Sequence, residues 1–324
     1  MEFQLSDKAK DYIARTKAFI QTEIEPIEAE FWQAAHKLNP TGDWTTWQWP
    51  AKLEELKTKA RAQNLWNMFL PDEQLGQGLS VQEYAHIAEL SGRSLIAPHV
   101  FNCNAPDSGN MELIWRYGND AQKQQWLTPL LAGEIRSVFG MTEPAVASSD
   151  ATNMQATAIV EGDEIVLNGR KWWSSGLGDP NAKLIIFMAH TPDERKDRHH
   201  QHTMVLVPID AKGVKIERML KVFNDYDAPH GHGEMRFDNV RVPLSNVIGG
   251  AGEGFAIAQG RLGPGRIHHC MRCIGAAEKS LELAIDRGLS RSAFGKPLLD
   301  LGGNRERIAD ARVKIDQARL LTLY

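Results

Sequence analysis

The 324 residues include only three cysteines, Cys103, Cys270 and Cys273. An odd, small number in so long a chain excludes a disulfide framework and predicts a reducing compartment. No uninterrupted apolar stretch approaches the roughly 18 residues of a membrane-spanning helix, which argues against membrane insertion. The start, Met1-Glu2-Phe3-Gln4-Leu5-Ser6-Asp7, lacks the basic and apolar regions of a secretory leader, so a cytoplasmic protein is expected. Neither sign of charge dominates: 41 acidic against 37 basic residues give a net charge of −4, and Lys and Arg are scattered, leaving no electrostatic footprint for nucleic acid. No G-x-G-x-x-G sequence opens a helix after a strand, which argues against a doubly wound dinucleotide fold.

Two further patterns invite metal or redox readings, and the spacing supports neither. Cys270 and Cys273 form a C-x-x-C without a second pair, and helical periodicity runs through them, so they are expected to pack. The histidine-containing run at 190–202 reads as a polar loop between two strands. His230 and His232 show no cysteine or carboxylate at ligand spacing, so no metal is expected.

What is present changes character along the chain. The first 136 residues read as helices, with apolar residues at three and four spacing behind start signals. Ser6-Asp7 opens one helix. Ser80-Val81-Gln82-Glu83 has capping-box spacing and opens another that runs to about Ser91. From 137 to 247 the period becomes that of strands: 156–160 and 165–167 flank the hairpin turn Glu161-Gly162-Asp163-Glu164, and further runs lie at 184–189, 204–207, 214–218, 234–237 and 240–242. This segment predicts a small β-barrel or sandwich. After the glycine-rich stretch at 249–254 the helical period returns, with Ile274, Ala277, Leu281, Ala284 and Ile285 on one stripe and Ile308, Ala311, Ile315 and Ala318 on a second. The fold class expected is therefore α+β, with helical residues 1–136, a β domain 137–247 and helical residues 248–324. The last segment ends while still apolar and periodic, as an incomplete bundle would.

Two segments could carry chemistry. Phe139-Gly140-Met141-Thr142-Glu143-Pro144-Ala145-Val146-Ala147-Ser148-Ser149-Asp150 is a small, hydroxyl-rich loop through which backbone amides could approach a phosphate or a flat heteroaromatic ring. By composition alone it reads first as a turn-rich linker. In Lys171-Trp172-Trp173-Ser174-Ser175-Gly176 the alternation of a strand would send adjacent tryptophans to opposite faces, one into a core and one over a cleft; two buried aromatics are the other reading.

Taken together, these segments resemble the acyl-CoA dehydrogenase family over essentially the whole chain, most closely one subgroup of it. The 139–150 loop resembles the family's T-E-P…S-D loop, and 171–176 its K-x-W-x-[ST] strand. Val240-Arg241-Val242-Pro243 with Asn246 resembles V-x-V-P-x-x-N, and Arg291-Ser292-Ala293-Phe294-Gly295-Lys296 resembles R-x-x-F-G-K. Subgroup features include the segments at 105–111, 228–232 and 260–269.

The resemblance implies an FAD enzyme that oxidises a saturated acyl-CoA to the 2-enoyl-CoA and passes electrons to an electron-transferring flavoprotein. It implies Met141, Thr142, Trp173, Ser174 and Ser175 at the flavin, and Ser148 and Ser149 at pyrophosphate or CoA. Gly263, Pro264 and Arg266 would lie at the thioester mouth. Arg291 and Phe294 would reach the FAD of a neighbouring subunit, so a homo-oligomer, dimer or tetramer, is expected. Asp107 and Asn110 would lie near the substrate cleft or cap a loop. The family's base is a late glutamate or, in a few branches, the residue before the position of Arg266, which here is Gly265. The catalytic residue stays unassigned, and an inactive FAD- or acyl-CoA-binding protein or an incomplete fragment is the alternative. Gly302-Gly303 replaces a glutamine that often contacts the partner's FAD.

Overall fold

The computed structural model describes residues 4–193 and 195–324; Met1–Phe3 and Glu194, which the readings of the leader and of the 190–202 loop included, lie outside them. Among the described residues the α-helices are α1 (Asp7–Phe19), α2 (Glu28–Leu38), α3 (Lys52–Ala62), α4 (Val81–Ser91), α5 (Ala97–Val100), α6 (Asp107–Tyr117), α7 (Asp120–Gln122), α8 (Thr128–Ala132), α9 (Gly254–Ser290) and α10 (Asn304–Leu323). The strands are β1 (Arg136–Gly140), β2 (Thr157–Glu161), β3 (Glu164–Ser175), β4 (Ala182–His190), β5 (His202–Pro208), β6 (Val214–Met219), β7 (His232–Pro243), β8 (Ser292–Ala293) and β9 (Lys296–Pro297). None of these helices is long and apolar enough to cross a membrane.

The chain gathers into two compact units, one of residues up to 28, 54–101 and 264–324, the other of 29–53 and 102–263. The first is helical. Ser6 caps α1 by accepting the Ala9 amide, and Ser80 and Glu83 form the expected capping box on α4. Glu83 also accepts the Ser6 hydroxyl at 2.5 Å, so one carboxylate ties two helix starts together. Helices α4 and α9 cross at glycines: a Cβ on Gly275 would stand 1.8 Å from the Glu89 carbonyl oxygen, and one on Gly92 2.1 Å from that of Arg272. Only hydrogen fits between those backbones.

The second unit is built on a seven-stranded sheet in the order β1-β4-β2-β3-β7-β6, with β5 on β4. The hairpin read at 161–164 joins β2 to β3, Glu161 facing Glu164, and the 190–202 loop joins antiparallel β4 and β5. The runs read separately at 234–237 and 240–242 are one strand, β7, with Asn239 in the left-handed region (φ 50°) absorbing the offset against β3. Trp47, Leu167, Phe187, Val205, Met235 and Phe237 fill the core, and burying such side chains contributes about 1.5–3 kcal/mol each.

Candidate active site

The loop after β1 and the end of β3 are locked together by a buried ion pair. Lys171 is completely buried and donates from Nζ to the Met141 carbonyl (3.0 Å) and the Glu143 carboxylate (2.8 Å). Glu143, also buried, accepts the Gln155 and Ala156 amides at 2.8 and 3.0 Å. Burial pushes the Lys171 ammonium down to about 8, against the opposing pull of Glu143. The Trp172 amide donates to the Thr142 carbonyl at 3.0 Å, and the Glu143 amide to the Ser148 hydroxyl at 2.8 Å. Ser148 thus closes the loop from within, while Thr142 and Ser149 keep exposed side chains and Met141 is half-buried.

The tryptophan pair departs from simple alternation. Trp173 has φ 51°, and the β3–β7 register slips between Lys171 and Ser174, so these two residues, three apart, are both buried. The Trp172 and Trp173 rings lie 6.2 Å apart instead of on opposite faces, and Trp173 is 42% exposed. Left-handed backbone at a bulky residue is strained, and a fold that imposes it here holds an aromatic face outward. Trp172 Nε1 and Ser174 Oγ are buried without a hydrogen-bond partner among the described residues. An outward-held aromatic face beside the exposed Thr142, with unsatisfied donors in the same strand, is the chemistry expected of a seat for a flat heteroaromatic ring such as a flavin.

Beyond β3, Ser175 Oγ lies 2.9 Å from His232 Nδ1, and His232 Nε2 lies 3.2 Å from Asp227. The carboxylate comes from Asp227, five positions before His232, which folds back onto it through a left-handed turn (φ 55°). A second buried network underlies Phe139. Arg261 stacks on its ring at 4.0 Å and donates to Asn110, which donates to Ser137 at 2.9 Å; Ser137 donates its amide and its hydroxyl to Asp107, both at 2.7 Å. Burial lowers the Arg261 guanidinium to about 10, opposed by Glu112 and Asp107. Asp107 and Asn110 are fully buried supports of β1. Sequence reading missed Lys171–Glu143, Arg261 and Asp227–His232 because their partners are far apart in the chain or on an irregular turn.

Elsewhere α9 runs unbroken through Gly263, Pro264, Gly265 and Arg266; a Cβ on Gly263 or Gly265 would meet nothing within 4 Å, and Arg266 is exposed. Gly263 belongs to the β-containing unit, whereas Pro264, Arg266, Arg291 and Phe294 belong to the helical one. Arg291 and Phe294 sit on the exposed β8–β9 hairpin, Phe294 94% exposed. Cys270 and Cys273 are exposed on α9, overturning the expectation that they pack; their helical spacing left them on the outer face. His268 is buried edge-on to Tyr84 at 4.7 Å.

Three family models match in order: the acyl-CoA dehydrogenase N-terminal domain over residues 6–134, the middle domain over 138–240 and the C-terminal domain over 252–324. The chain belongs to the acyl-CoA dehydrogenase family, whose members are flavin-dependent oxidoreductases. A probable acyl-CoA dehydrogenase FadE2 of Mycobacterium tuberculosis is 50% identical over 99% of this chain and 77% of its own. Acyl-CoA dehydrogenase family member 11 of Gallus gallus, from the subgroup whose motifs the sequence shares, is 49% identical over 99% of this chain. The chain spans only 41% of that relative and 30% of mouse family member 10. The solved structure of a putative acyl-CoA dehydrogenase from Mycobacterium abscessus is 58% identical, with a TM-score of 0.95 over 99% of this chain and 79% of its own.

Proposed function

We propose that this chain forms the flavin seat of an acyl-CoA dehydrogenase that converts a saturated acyl-CoA to the 2-enoyl-CoA and passes the electrons to an electron-transferring flavoprotein. The observation that carries this reading is the Lys171–Glu143 lock, which sets Met141 and Thr142 beside a strand whose strained Trp173 holds its ring outward. In this reading Met141, Thr142, Trp173, Ser174 and Ser175 hold FAD, with Trp173 covering the ring and Ser175 bonding near N5. Ser148 shapes the loop and Ser149 meets pyrophosphate or CoA. Gly263, Pro264 and Arg266 line the thioester mouth, and Arg291 and Phe294 serve the FAD of a neighbouring copy in a homo-oligomer.

FAD, when bound, supplies the hydride acceptor. The protein's share is to orient the acyl chain, keep water from the ring and hold the loop rigid. The buried lock suits that last task, since neither partner can leave without stranding a charge. A cytoplasmic setting fits the scarcity of cysteine.

The test is an anaerobic absorbance scan of the FAD-loaded protein with saturated acyl-CoAs of several lengths. Bleaching of the long-wavelength flavin band by at least one of them is expected. A flavin that binds but never bleaches would reduce the assignment to flavin or acyl-CoA binding alone.

A further inference from the structure

Across β3, β7 and β6, rows of residues alternate between the core and the outer face of the sheet. On the core side Lys171 opposes Met235, and Met235 opposes Ile216. In the adjoining row Arg170 opposes Arg236, and Arg236 opposes Lys215, so three cations stand side by side on the outer face. Like charges placed directly opposite one another destabilise a sheet. Such a row calls for anions beside it.

Two carboxylates of the protein meet that need in part. Glu234, completely buried, accepts from Arg170 and, at 2.7 Å, from Arg218 Nε. Glu217 lies 2.9 Å from Lys215 Nζ and 3.2 Å from Arg236 Nε. The Lys215 bond, with the Arg236 and Arg170 charges, holds the Glu217 carboxyl below its ordinary value. Four cations thus share two carboxylates. Arg218 and Arg236 face them with Nε, and among the described residues no terminal nitrogen of either guanidinium donates a hydrogen bond. The side chains of Arg170, Arg218 and Arg236 are each more than half exposed. With Glu217 and Glu234 they line a hollow of about 410 Å³ that no apolar side chain among the described residues borders. Arg170 also borders a second hollow of about 390 Å³, lined by Pro144, Ala145, Gln155, Ala156 and Gly169 and by Glu143, which is already paired with Lys171.

We propose that this outer face of the sheet binds the phosphate or diphosphate group of a small ester, gripped by the terminal nitrogens of Arg218 and Arg236 with Arg170 at its edge. Guanidinium forks match the oxygens of such an anion in pairs and stay charged at any physiological pH. A protein partner would need apolar ground at the centre of its footprint, which a hollow lined by charge alone does not offer. The second hollow gives room to the organic part of the ester. The proposal does not depend on the flavin reading.

The test is isothermal titration at about 0.15 M salt, with FAD in excess so that a flavin seat is filled. The probes are inorganic pyrophosphate and adenosine 5′-diphosphate, and one saturable site for at least one of them is expected. Arg218→Gln with Arg236→Gln should weaken that binding about tenfold or more. Arg236→Gln alone breaks up the cationic row and leaves Glu234 with both its arginines, which keeps the test open should the double variant fail to fold. Pyrophosphate is expected to raise the melting temperature of the wild type, and that of this single variant clearly less. Tighter binding of adenosine diphosphate than of pyrophosphate assigns the ester to a nucleotide; equal binding assigns recognition to the phosphates alone. No saturable binding of either probe overturns the proposal, even where poly-glutamate binds, as a surface for an acidic protein would have it. Equal binding by wild type and the double variant, or an equal thermal shift in wild type and the single variant, overturns it as well.

Discussion

At the scale of single residues, the site depends on charges taken out of water. Lys171 and Glu143 are 28 positions apart, and each was conspicuous in its own motif, but nothing in either motif told of their pairing; that required the loop to fold back on β3. Replacing Glu143 by Leu leaves an uncompensated buried ammonium. We expect a loss of about 3–5 kcal/mol in chemical denaturation, with flavin affinity falling as well. Lys171→Met with Glu143→Leu together should recover part of that stability, because two apolar side chains remove both charges. His268 offers a pH test. Burial, aided by the Arg272 and His269 charges, holds its ring down to about 3, against about 6.5 in an unfolded chain. Between those values the unfolded state binds the proton and the folded state does not, so this contribution to stability is full above about 6.5 and is lost as the pH falls toward 3. His268→Phe is expected to flatten that part of the stability–pH curve relative to wild type; parallel curves would contradict the account.

At the scale of elements, local signals were legible where the chemistry is local. The Ser80–Glu83 capping box, the Ser6 cap, the 161–164 hairpin and the return of helix after residue 254 follow from short-range patterns and are all present. Period-two reasoning failed at Trp173, because a left-handed residue inside a strand resets the alternation, and it split β7 at Asn239 for the same reason. The glycine crossing of α4 and α9 was also invisible, since a glycine inside a helix announces a close neighbour only once that neighbour is known. Gly275→Ala places a Cβ against the Glu89 backbone and should cost about 1–3 kcal/mol, read from the denaturation midpoint. Ser80→Ala should cost about 1 kcal/mol through the lost cap.

At the scale of the whole molecule, the resemblance read from four ordered motifs named the family, although composition and periodicity alone stopped at an α+β protein with a strand-rich middle. The helical unit buries Ile274, Leu281 and Ile315 of the two apolar stripes, yet leaves Leu283 and Leu289 exposed on α9, Val313, Leu320 and Leu321 on α10, and Tyr324 just beyond it. Such faces associate. Light scattering is expected to find species larger than a monomer, and Leu320→Glu with Leu321→Glu should shift the population toward monomer. The claim on which everything else rests is that the 141–142 loop and the Trp173 strand form a flavin seat. Its most direct test is the absorbance spectrum of protein saturated with FAD and then desalted, for wild type and Trp173→Ala. The account predicts a yellow wild type that retains its flavin and a variant that loses most of it; a colourless wild type, or full retention by the variant, would contradict it.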